Sequence, residues 1–126
     1  MALYELSVAL LCLSMMTACT REAESAAYSM ASVNPVVLTQ LDAGIVQMDF
    51  KVPAETYYYV PGVDYRVDGQ TLSVSIIRCS IKSRCEAMAK LLPGLPPGDG
   101  RVRIPFQGNT VVLRHIDGEQ VLQAVL

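Results

Sequence analysis

The side chains with the widest chemical repertoire are few: cysteines at 12, 19, 79 and 85, and a single histidine, His115. For nucleophilic catalysis His115 would need a Ser or Cys partner and an orienting acid, and no motif such as Gly-x-Ser-x-Gly supplies one. The carboxylates open to such a role, Asp42, Asp49, Glu55 and Asp64, are scattered along the chain. A cupredoxin-like copper site wants two His and a Cys, and this chain has one His. Structural zinc wants four ligands, whereas Cys79, Cys85 and His115 make three strong ones, with Met88 a weak fourth. A redox dithiol usually reads Cys-x-x-Cys; here SIKSR intervenes between Cys79 and Cys85, although Arg78, Lys82 and Arg84 would lower a thiol pKa. His115, between Arg114 and Ile116, therefore reads as a half-exposed strand residue. No catalytic residue, metal or cofactor is expected, and the chain is not expected to be an enzyme.

The tyrosines point elsewhere. The stretch ETYYYVPGVDY places Tyr57, Tyr58, Tyr59 and Tyr65 close together. Consecutive residues of a strand alternate faces, so at least one of these rings must point away from the core. Tyr offers a large contact area with a polar tip, which suits a binding surface. The expected partner-binding residues are Tyr57, Tyr58, Tyr59 and Tyr65, with Arg101 and Arg103 (and Arg114) on a neighbouring hairpin. The plainer alternative puts Tyr57 and Tyr59, or Tyr58 alone, into the core.

The remaining composition narrows the class. A chain of 126 residues holds one domain with a modest core. Its net charge of −2, without a block of like charges, excludes the clustered basic footprint that nucleic acid requires. No internal repeat is evident beyond recurring turn residues.

The N-terminus has a different character. Residues 6–16 are almost wholly apolar, and such a helix would span about 16 Å, roughly half a hydrocarbon core. That length suits the apolar region of a secretory signal. The residues that follow, Met16-Thr17-Ala18-Cys19, resemble the lipobox of bacterial lipoproteins. The resemblance implies cleavage before Cys19, so that 1–18 is a signal peptide, and acylation of Cys19. A multiply acylated Cys19 would be held stably in the membrane. Thr20 stands where an Asp commonly signals inner-membrane retention, so the resemblance implies an outer-membrane lipoprotein facing the periplasm. It also implies that Cys12 leaves with the signal and Cys19 carries lipid, so that Cys79 and Cys85 pair in an oxidising compartment. Residues 19–34, small, polar and aperiodic, read as the lipidated Cys and a flexible tether.

From Pro35 the hydrophobic period becomes two. Val46, Met48, Phe50 and Val52 alternate with Gln47, Asp49 and Lys51; Leu72, Val74 and Ile76 repeat the pattern, as do Val102, Ile104 and Phe106. TYYYV, TVVLRHI and EQVLQAVL complete the set. Asp68-Gly69, Gly108-Asn109 and Asp117-Gly118 predict three hairpins. Pro105 marks an edge strand or bulge. SRCEAMAKLLPG opens with the capping box Ser83–Glu86 and predicts two turns of helix, which the bridge would staple to the strand before it. PGLPPGDG then crosses between sheets. The expectation is a mainly β domain over 35–126: a small antiparallel β-sandwich, immunoglobulin-like or related, with one short helix.

Taken together these readings predict a membrane-anchored envelope lipoprotein whose sandwich is a non-enzymatic interaction or assembly module. Its expected partners are the membrane, through the lipid, and an envelope protein. The alternative is a periplasmic enzyme inhibitor or glycan-binding module that presents the tyrosine strand or the PGLPPGDG loop.

Overall fold

The alternating segments expected as strands at 45–52, 70–77 and 101–106 form strands over Ile45–Lys51, Thr71–Ile76 and Asp99–Pro105. A computed structural model describes residues 26–42 and 44–125. The signal peptide, the lipobox and Cys19 lie outside those residues. The described chain runs α1 (Met30–Val33), β1 (Val37–Gln40), β2 (Ile45–Lys51), β3 (Tyr58–Tyr59), β4 (Gly62–Asp68), β5 (Thr71–Ile76) and β6 (Cys79–Ser80). It continues with β7 (Ala89–Lys90), β8 (Asp99–Pro105), β9 (Thr110–His115), β10 (Gly118–Leu122) and β11 (Ala124–Val125).

One sheet has the order β11-β1-β2-β8 and the other β10-β9-β5-β4-β7, with β3 and β6 forming a separate two-stranded ribbon. The two larger sheets share one core. Val46, Met48, Phe50, Val102 and Ile104 from the first meet Val63, Leu72, Val74, Ile76, Val111 and Leu113 from the second. This is a β-sandwich, held mainly by removing those side chains from water. Two pairings, β5 with β9 and β1 with β11, are parallel.

Two of the expected hairpins form, β4–β5 and β9–β10. Gly69, at φ +63, opens the first turn, a backbone conformation that glycine adopts without steric cost. A third hairpin pairs β1 with β2 without an Asp-Gly or Asn-Gly signal. Gly108-Asn109 makes no hairpin. Instead β8 and β9 lie in different sheets, and the chain crosses between them as the amides of Asn109 and Thr110 both donate to the carbonyl of Gln70. Gly108 lies so close to the Phe106 ring that a Cβ there would overlap it. The PGLPPGDG crossing does occur, between β7 and β8. Pro105 ends β8 at the edge of its sheet, where a missing N–H costs no ladder bond.

The expected helix over 83–92 does not form. Ala87 and Ala89 are buried while Met88 and Lys90 are exposed, a period of two, and β7 pairs with the start of β4. The Met88 amide donates to Asp64 and the Leu91 amide to the Pro61 carbonyl. These tertiary partners outweigh helix propensity, which is a weak local preference. A Cβ on Gly62 would collide with the Ala89 carbonyl, so the close approach of the two strands depends on that glycine.

The expected tether, 19–34, joins the domain at its C-terminal end. Tyr28 and Val33 are buried in the core, and residues 30–33 form α1. The Tyr28 carbonyl accepts from the Ile116 amide, and Asp117 accepts from the Met30 amide. Two isolated apolar residues at 28 and 33 carry no periodicity that would signal their docking.

Candidate contact surface

The ribbon β3–β6 pairs Tyr58 with Ser80 and Tyr59 with Cys79, and the Ile81 amide donates to the Tyr57 carbonyl at 3.0 Å. Two strands of two residues are too short to hold themselves together. Three other features hold them. Cys79 is bonded to Cys85, with Cα atoms 6.1 Å apart, and Cys79 is buried. The Tyr59 hydroxyl donates to the Ser83 carbonyl at 3.4 Å. Arg78, which leads into β6, lies over the Tyr58 ring with its guanidinium carbon 3.6 Å from the centroid.

Arg78 is itself fixed. Its Nε and Nη2 donate to Glu55 Oε2 at 2.9 and 2.7 Å, while the Tyr28 hydroxyl donates to Glu55 Oε1 at 2.7 Å. Hydrogen bonds from Arg78 and then from Tyr28 hold the Glu55 carboxyl below the usual carboxylate range. Hydrogen bonding to Glu55 likewise raises the Arg78 pKa. Burial first, and then the hydrogen bond to Glu55, pushes the Tyr28 phenol above the ordinary tyrosine value. The result is a continuous chain, Tyr28–Glu55–Arg78–Tyr58, from a core residue to the ribbon.

Against that backing the ribbon turns its aromatic residues outward. Tyr57 is 68% exposed, and Tyr58 and Tyr59 are each 38% exposed. They do not fill the sandwich. Tyr65 does pack against the core, from β4, and its amide donates to the Met88 sulfur. Arg101 and Arg103 stand on another sheet, in β8. Arg101 Nε donates to Asp49 Oδ1 at 2.6 Å and Arg103 Nε to Gln47 Oε1 at 3.0 Å, a cross-strand ladder with β2. Arg114 faces Glu119 across β9–β10 at 3.9 Å. The expected surface is thus divided: Tyr57, Tyr58 and Tyr59 share the ribbon, and the arginines lie on the sheets.

His115, expected to be half exposed, is buried on the inner face of β9 and shares a 2.9 Å hydrogen bond with Gln120 Oε1. A groove of about 350 Å³ beside β2 and β8 is lined by Pro35, Val37, Lys51, Leu95, Asp99 and Arg101. Its charged groups are already engaged, Lys51 with Asp99 and Arg101 with Asp49. Among the described residues no three His, Cys, Asp or Glu side chains gather as metal ligands, and no helix is long and apolar enough to cross a membrane.

Sequence reasoning missed the Tyr28–Glu55–Arg78 chain. Its members lie in three separate segments, and none carries a local motif. No family model matches the chain, and neither does any curated protein or solved structure.

Proposed function

We propose that this chain is a lipid-anchored protein of the bacterial cell envelope that works by contact, with the disulfide-closed tyrosine ribbon as its contact surface. The lipobox-like Met16-Thr17-Ala18-Cys19 supplies the anchor in this reading. The observation that carries the contact role is the exposure of Tyr57, Tyr58 and Tyr59 on a ribbon braced from behind by a disulfide and by Arg78. Aromatic rings held rigidly at a surface lose little conformational freedom on binding, so their area converts efficiently into affinity.

Photo-crosslinking in intact cells tests the reading. A photoreactive phenylalanine analogue at position 57 is expected to give a defined adduct with an envelope component, lost when Cys79 and Cys85 are both changed to Ser. Adducts no stronger than those from position 66, on the outer face of β4, would contradict it.

A further inference from the structure

The ribbon continues into the ring closed by Cys79 and Cys85, and that ring has a distinctive tip. Ile81 is 56% exposed, and Lys82 and Arg84 beside it are exposed as well. The cations of the described ion pairs are Lys51, Arg78, Arg101 and Arg114, so Lys82 and Arg84 engage no carboxylate among the described residues. The carboxylate nearest in sequence, Glu86, falls outside the ring. Tyr57 is joined to the tip through the Ile81 amide.

We propose that this ring docks on an anionic bilayer surface, Ile81 and Tyr57 entering the headgroup region while Lys82 and Arg84 pair with lipid phosphates. The proposal rests on the lipid-anchored reading and names the partner of the same ribbon. An aliphatic tip flanked by tyrosine and by cations is the composition that partitions to a membrane interface. The core of a protein–protein interface, by contrast, is depleted of Lys. Each such cation near an anionic leaflet strengthens binding about fivefold, so two contribute about 25-fold.

The position of the ring agrees with its chemistry. Tyr28, near the start of the described chain, binds Glu55, Glu55 binds Arg78, and Arg78 precedes Cys79. The ring and the point where the chain enters the domain therefore lie at the same end of the sandwich. Ile116, 64% exposed at the tip of the β9–β10 turn, belongs to that end too, since its amide binds the Tyr28 carbonyl. Cys19 stands nine positions before Tyr28, a reach of at most about 30 Å, so a lipid there holds this end toward the leaflet.

The chain contains no Trp, which makes a single reporter possible. The lipidated protein extracted from membranes and carrying Ile81→Trp is reconstituted in phosphatidylcholine vesicles, with and without phosphatidylglycerol, and brominated lipid serves as quencher. With phosphatidylglycerol the emission is expected to shift to the blue and be quenched. Both effects are expected to disappear at about 1 M salt, where screening acts within about 3 Å, and in the Lys82→Glu, Arg84→Glu variant. A reporter at Val67→Trp, at the opposite end of β4, is expected to show neither. Equal quenching at 81 and 67, or emission at 81 indifferent to phosphatidylglycerol, would overturn the proposal. Shielding of position 81 by a crosslinked envelope protein without bromolipid quenching would overturn it too, while leaving the contact reading intact. Intact mass of the same sample reports the anchor separately, so a missing lipid and a ring that ignores lipid are distinguishable.

Discussion

The guanidinium carbon of Arg78 lies 3.6 Å from the centroid of the Tyr58 ring. Stacking of this kind needs a cation held still, and Glu55 holds it with two hydrogen bonds to one oxygen. Through Tyr28 the same carboxylate reaches the core. A short ribbon that could not persist alone is thereby braced against the sandwich, with Tyr57, Tyr58 and Tyr59 left exposed.

The bracing makes stability depend on pH at both extremes. Glu55 has its pKa lowered in the fold, so the unfolded chain binds the extra proton as pH falls. Its contribution is present above about pH 4.3 and is lost as pH drops through the lower, folded value. Tyr28 has its pKa raised, so its contribution is present below about pH 10 and is lost as pH climbs toward the folded value. Urea midpoints measured across pH are expected to fall at both ends. Glu55→Gln flattens the acid limb and Tyr28→Phe flattens the alkaline one.

The disulfide joins residues six apart, and closing so short a loop removes enough unfolded-state entropy to stabilise by about 2 kcal/mol. Changing Cys79 and Cys85 together to Ala is expected to lower unfolding free energy by that amount. Hydrogen exchange at the ribbon amide of Ile81, which binds the Tyr57 carbonyl, is expected to accelerate more than at Leu113 in the core. Unchanged exchange at Ile81 would mean that the ribbon does not depend on the bridge.

Val33 is fully buried although it lies in a stretch that reads as a linker. Val33→Ala removes two methyl groups from the core and is expected to cost about 1–3 kcal/mol in chemical denaturation. A linker residue would change stability by less than about 0.5 kcal/mol. Val67→Ala, at a half-exposed position, serves as the comparison.

Strong period-two segments such as Ile45–Lys51 and Thr71–Ile76 were legible because burial on one face imposes the alternation directly. The Asp68-Gly69 and Asp117-Gly118 turns were legible through glycine's tolerance of positive φ. Sheet membership was not. Gly108-Asn109 has hairpin chemistry, yet β9 pairs in parallel with β5, a choice made by the distant partner. The helix over 83–92 had every local preference in its favour and lost to the pairing of Ala89 with Val63. On the ribbon, an outward-facing tyrosine was readable because consecutive strand residues cannot share one face. Tyr28, Glu55 and Arg78 were not, because only the fold brings three unrelated segments together.

In the proposed function, Cys19 begins a lipid-anchored protein whose remaining cysteines are bonded to each other. Intact mass of the protein extracted from membranes tests it most directly. The expected mass is that of a chain lacking residues 1–18, heavier by its acyl groups and lighter by the two hydrogens of a Cys79–Cys85 bridge. An unmodified chain of 126 residues with three or more free thiols would contradict it.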